Sequence, residues 1–166
     1  RRHPHIYGET LAEDEATVKA NWEQIKLKEK GNTSVLGGVP RSLPALVKAM
    51  RIQEKVSGVG FDWENGDQVW DKVEEEIKEF KAENQAETVN SKCKNEEFGD
   101  VLFSLINYAR FQDINPEEAL DRTNKKFIKR FQYLEIASKR EGKSLAEMTL
   151  SEMDIYWEAA KKNEKN

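Results

Sequence analysis

Apolar residues along the chain recur at intervals of three and four over long windows and seldom at two, so the pattern predicts helices and requires no strands. A first helix is expected from about Asp14 to Lys30, carrying Val18, Trp22 and Ile25 and stopped by Gly31. NTSVLGGVPRSLP, with paired glycines and two prolines, breaks the spacing; Leu46, Ala49, Met50 and Ile52 resume it from Ala45 to Val56, and SGVGFDWENGD interrupts again. A helix should then start near Asp67, run through VEEEIKEF and fade in KAENQAETVNSKCKN, and another should cover Glu96 to Phe111. Asn115-Pro116-Glu117-Glu118 predicts a helix start, because asparagine caps, proline tolerates the first position and the third-position glutamate can reach back. That helix should last to about Arg140, before Gly142, and Thr149-x-x-Glu152 should open a last short one as a capping box. The expected fold class is all-α, a helical bundle of five or six helices with charged outer faces.

Composition narrows the possibilities without altering that picture. The 166 residues suit one globular domain, and 37% hydrophobic content can build a core. The net charge is −4, and the 27 basic residues are interspersed with 31 acidic ones, so no duplex nucleic acid is expected as a partner. The lone Cys93 fits a reducing compartment and excludes a multi-cysteine zinc site. No apolar run is long enough for a membrane span, which places the expected location in the cytoplasm, with no membrane partner.

Chemistry enters through VEEEIKEF, where four glutamates are threaded between three apolar residues. With about 100° per residue and Glu76 at zero, Val69, Val73, Ile77 and Phe80 fall between roughly +20° and +100°. Glu76 borders this arc, Glu79 lies near −60°, Glu75 near −100°, and Glu74 points away from the core. On the helix containing Glu97, the same construction puts Phe98, Val101, Leu102 and Leu105 between roughly +40° and +140°, with Glu97 at the edge and Asp100 near −60°. Each helix therefore carries a carboxylate at the edge of its apolar face and a second one turn along. Antiparallel packing through the apolar stripes would bring four carboxylates together.

Converging carboxylates repel and lose hydration unless positive charge sits among them. All-oxygen ligation suits Mg²⁺, with Mn²⁺ as a possible substitute, and Mg²⁺ commonly shares its shell with substrate phosphates. In a chain this acidic, single pairs at spacing three arise by chance, and a charged helix face is ordinarily solvated; recurrence on two helices is what favours metal. A di-iron bundle needs Glu-x-x-His ligands, and His3 and His5, the only histidines, lie outside the expected bundle.

GGVPRSLPAL, VGFDW, DKVEEEIKEF, NEEFGDVLFSLINYAR and NKKFIKRFQYLE together resemble the MazG family of nucleoside triphosphate pyrophosphohydrolases over roughly residues 36–161. The family's EExxE and ExxD segments correspond to Glu75-Glu76-Ile77-Lys78-Glu79 and Glu97-Phe98-Gly99-Asp100. The resemblance implies an all-α NTP pyrophosphohydrolase fold, Mg²⁺ held by Glu76, Glu79, Glu97 and Asp100, and a supporting role for Glu75. It implies phosphate binding by Asn124, Lys126 and Arg130, and a nucleotide site completed by Trp157 and Lys161. Trp157 could equally serve as a packing anchor. A homodimer is expected from the same resemblance. The opening RRHPHIYGE is similar to the KRFQYLE segment, as though residues 1–35 were a linker and leading helix after a missing N-terminal domain, with 36–166 the MazG-like catalytic domain.

The implied reaction is Mg²⁺-dependent hydrolysis of a nucleoside triphosphate to monophosphate and pyrophosphate, a nucleotide-pool house-cleaning role, with Glu76 or Glu79 taking the proton of the attacking water. Two alternatives remain open: a non-catalytic nucleotide-binding or regulatory module, and a purely structural bundle in which the acids ignore metal.

Overall fold

The computed structural model describes residues 34–85 and 91–164, which form two compact units, one ending at Pro116 and the other starting at Glu117. The expected helix from Asp14 to Lys30 and the segment RRHPHIYGE lie outside the described residues. Among those described there are five α-helices and no strand. None of them is long and apolar enough to cross a membrane.

In the first unit a 3₁₀ turn over Val35–Gly38 leads to α1 (Ala45–Ser57), α2 (Gly66–Gln85) and α3 (Ser91–Phe111). Pro44 precedes α1, where its fixed φ and missing N–H suit a helix entrance. α3 begins five residues earlier than the apolar spacing predicts. The polar run SKCKN needs no buried face to be helical, because lysine is a good helix former and the segment propagates from the packed turns that follow.

α2 and α3 pack most extensively, and α1 lies against α3. The pair is antiparallel: Phe80 meets Phe98 at 5.4 Å between ring centroids, while ten residues earlier Trp70 meets Tyr108 at 4.8 Å. Val69 and Val73 are fully buried on α2, as its spacing requires, whereas on α3 the buried positions are Val101 and Ser104. Phe98, Leu102 and Leu105, expected in the α3 core stripe, are each 40% exposed or more, which corrects the orientation inferred from apolarity. A serine takes a buried position instead: Ser104 is 8% exposed, and its hydroxyl is satisfied by the Val101 carbonyl at 3.0 Å. The buried direction of α3 is thereby turned toward Glu97.

The second unit contains α4 (Pro116–Arg140), a 3₁₀ turn over Leu145–Glu147, and α5 (Leu150–Asn163). Glu117 and Glu118 in the first turn of α4 and Lys139 and Arg140 in its last oppose the helix dipole. Gly142 at φ 68° takes the left-handed position after α4, and the Lys143 amide closes the end on the Ser138 carbonyl at 3.0 Å. Leu134, Ser138, Met148 and Ala160 are buried here.

Thr149 and Glu152 form the expected capping box: the Thr149 hydroxyl accepts from the Glu152 amide, and the Glu152 carboxylate accepts from the Thr149 amide at 2.8 Å. These bonds hold the Glu152 carboxyl below its ordinary pKa. Thr149→Ala should destabilise the protein by about 1 kcal/mol, read as a shift in the urea unfolding midpoint, with α1 to α3 unaffected.

Candidate active site

Glu76 projects from α2 on the same side as Val69 and Val73, and is only 8% exposed. One turn along, Glu79 is exposed, and opposite it Glu97 of α3 is half-buried. Carboxylate oxygens of Glu76, Glu79 and Glu97 all lie within 4.8 Å of one another. The antiparallel packing thus gathers three of the four carboxylates expected as ligands. Asp100 is exposed and outside that group of three, yet it lines the same cavity as Glu76 and adds to the repulsion on Glu97.

Two observations test whether the cluster suits a divalent cation. The donor set is all carboxylate oxygen, the hard ligation that Mg²⁺ and Mn²⁺ accept. The Glu97 carboxyl is pushed above its ordinary pKa, first by loss of hydration and then by the charges of Glu79, Asp100, Glu76 and Glu83. A cation among these oxygens would remove that penalty, so the residues fit.

Part of the charge is already met by Lys72, whose ammonium contacts Glu76 at 2.8 Å and Glu75 at 3.2 Å. The lysine pKa is raised, chiefly by its bond to Glu76. Glu75 is exposed and is linked to Glu76 through Lys72. The sequence reasoning passed over Lys72, although its spacing of three and four from two glutamates was a readable signal.

Beside the cluster is a cavity of about 520 Å³, within the range of small-molecule sites. Glu76, Lys72 and Asp100 line it, together with Val69, Phe103 and the aromatic residues Phe61 and Trp63 from VGFDW. Arg110 of α3 forks onto Asp62, with Nη1 donating to Oδ2 at 2.8 Å and Nη2 to Oδ1, which ties the VGFDW loop to α3. Arg110 also donates to Asn107 Oδ1 at 2.9 Å, and the Trp63 amide donates to Asp62 Oδ1. Burial pushes the Asp62 pKa up, but the bonds from Arg110, Ser57 and Trp63 outweigh it and hold the carboxyl below its usual value.

The remaining candidates lie in the second unit. Asn124 and Lys126 are exposed on α4. Arg130 donates through Nε and Nη2 to Glu164 Oε2 at 2.9 and 2.7 Å, and its guanidinium lies 5.8 Å from the Trp157 ring centre. Trp157 also packs on Phe127 at 5.0 Å, so it does have the anchoring contact considered from the sequence. Lys161 pairs with Glu158 on its own helix. Glu164 was not foreseen, since nothing local ties it to a residue 34 positions earlier.

The chain is 41% identical to the nucleoside triphosphate pyrophosphohydrolase/pyrophosphatase MazG of Thermotoga maritima over 163 residues, 97% of this chain and 60% of that protein. It is 40% identical to the nucleoside triphosphate pyrophosphohydrolase of Escherichia coli K12 over 99% of this chain and 64% of the relative. Over nearly its whole length the chain is similar to MazG proteins. The uncharacterized YabN protein of Bacillus subtilis is 49% identical over 99% of this chain and 34% of its own length. No family model matches the chain. It therefore spans under two thirds of the length of these MazG relatives.

Two outcomes follow from the ion pairs. Lys72→Met should lower metal-free stability by about 1 kcal/mol, because Lys72 is partly exposed and Glu76 loses its counter-charge; millimolar Mg²⁺ should narrow the gap in Tm between variant and parent. For Asp62, the depressed pKa means stability present above the ordinary value of 3.8 and lost as pH falls through the lower folded value. The stability difference between parent and Asp62→Asn should accordingly stay level above about pH 5 and shrink on further acidification, as followed by urea unfolding across pH.

Proposed function

We propose that this chain hydrolyses nucleoside triphosphates to nucleoside monophosphate and pyrophosphate, using Mg²⁺, or Mn²⁺ in its place, held by Glu76, Glu79, Glu97 and Asp100. The observation that carries the reading is the convergence of carboxylates from two antiparallel helices beside a cavity large enough for a nucleoside. The names of the Thermotoga maritima and Escherichia coli relatives support the same activity. When bound, the cation supplies positive charge that neutralises phosphate oxygens and makes water more acidic.

The chain's own residues account for the rest. Glu76 is engaged by Lys72, whereas Glu79 is exposed, so Glu79 is the better placed acceptor for the proton of the attacking water. The water oxygen bonds to the α phosphorus, the bridge from that atom to the β-phosphate oxygen breaks, and pyrophosphate leaves with the bonding electron pair. Lys72 holds Glu75 and Glu76 in place. In the second unit, Asn124, Lys126, Arg130 and Lys161 are assigned to phosphate binding and Trp157 to the sugar or base. Arg130 must exchange Glu164 for a phosphate to do so, one anion for another.

The exposed row Phe98, Leu102 and Leu105 supports the expected homodimer, and a cytoplasmic, nucleotide-pool house-cleaning role belongs to the same proposal.

Incubating common triphosphates with the protein and Mg²⁺ should release monophosphate and pyrophosphate in equal amounts by HPLC, and chelation should stop it. Glu79→Gln should lower kcat by roughly a hundredfold or more with the helical content retained. Glu97→Ala and Asp100→Ala should lose both activity and the Mg²⁺ dependence of Tm. Tight nucleotide binding with no monophosphate formed would favour the non-catalytic binding module instead.

A further inference from the structure

Gln53 of α1 is a buried polar side chain, 3% exposed, lining the cavity that also contains Glu76 and Asp100. Its Nε2 donates to the Phe103 carbonyl on α3 at 2.8 Å. That bond fixes which way the amide faces, because the reversed orientation would set two acceptor oxygens against each other. The other amide atom, Oε1, is buried with no hydrogen-bond partner, alone in this among the buried side-chain atoms of the described residues. Leaving such an acceptor unpaired is costly, and retaining it makes sense where a donor arrives from elsewhere.

We propose that Gln53 Oε1 accepts a hydrogen bond from an N–H on the base edge of the bound nucleotide, making Gln53 a specificity-determining residue. The proposal rests on the nucleotide reading above. The surroundings match the chemistry: Phe61, Trp63, Phe103 and Ile52 offer apolar and aromatic walls for a flat ring, and Glu76 and Asp100, two of the proposed metal ligands, line the same cavity. Phe103, which anchors the amide, is six residues from Glu97, or about 9 Å along the helix axis, leaving room for a sugar between carboxylates and acceptor. Gln53 Oε1 is a carbonyl oxygen and can only accept, and the bond from Nε2 to the Phe103 carbonyl fixes the amide so that this oxygen is the atom left unpaired. All the common bases carry an N–H on the pairing edge, so this group admits each of them and disfavours rings whose N–H is missing or methylated.

The test is calorimetric binding of nucleoside monophosphates to the full 166-residue chain in Mg²⁺, which requires no turnover. Adenosine and purine riboside monophosphates form one pair; cytidine and 2-pyrimidinone riboside monophosphates form the other. The donor-bearing member of each pair should bind about tenfold more tightly, since its partner leaves the acceptor unpaired. Gln53→Met should bring the affinities within each pair together. Should that variant fail to fold, the ¹³C shift of the Gln53 side-chain carbonyl in the parent chain reports instead, moving with the donor-bearing ligand and staying still with its partner.

Equal affinities within both pairs, an unmoved carbonyl, or a gap that survives in Gln53→Met would each overturn the proposal, as would failure of every monophosphate to bind. Donor-dependent binding without hydrolysis of any triphosphate would overturn the proposed activity and leave the Gln53 contact standing. Hydrolysis without donor dependence would do the reverse.

Discussion

Repulsion among carboxylates is the constraint around which the first unit is organised. The apolar seam of Val69, Val73 and Val101 draws α2 and α3 together, and the same packing forces Glu76, Glu79 and Glu97 into mutual reach. Hydrophobic burial along that seam opposes the electrostatic cost locally. Lys72 is the chain's own partial answer, placed one turn before Glu76 and reaching forward along the helix. A single ammonium cannot balance the cluster, and the Glu97 pKa, raised first by loss of hydration, is pushed further by the charges of Glu79, Asp100 and Glu76.

How far the sequence could be read depended on the distance over which each feature is encoded. The Thr149 and Glu152 box, the helix start at Pro116 and the burial of Val69 and Val73 are written within a few residues, and the structure has them where the spacing put them. α3 was harder. Apolar periodicity reports which face would gain from burial, yet the buried side is the one with Ser104. The wheel consequently understated how far Glu97 turns inward.

Long-range partners had little or no local signal. Arg130 and Glu164, and Arg110 and Asp62, meet across 34 and 48 positions. Gln53 was the least visible of all, because a glutamine in IQEK has the character of an ordinary solvated helix residue until a second helix closes over it. By contrast, Lys72 could have been found from its spacing to Glu75 and Glu76.

One property of α3 reaches beyond any of its individual contacts. Glu97 and Asp100, the Phe103 carbonyl that seats Gln53, and Asn107 and Arg110 that secure Asp62 all depend on a single uninterrupted register. A one-residue insertion between Asp100 and Arg110 would rotate everything beyond it by about 100°, separating the acidic end from the loop-holding end even if every side chain were kept. A single substitution along this helix leaves the register of the other residues intact, but its length cannot drift. That interval behaves as an indivisible measure, to be inherited or lost as a whole.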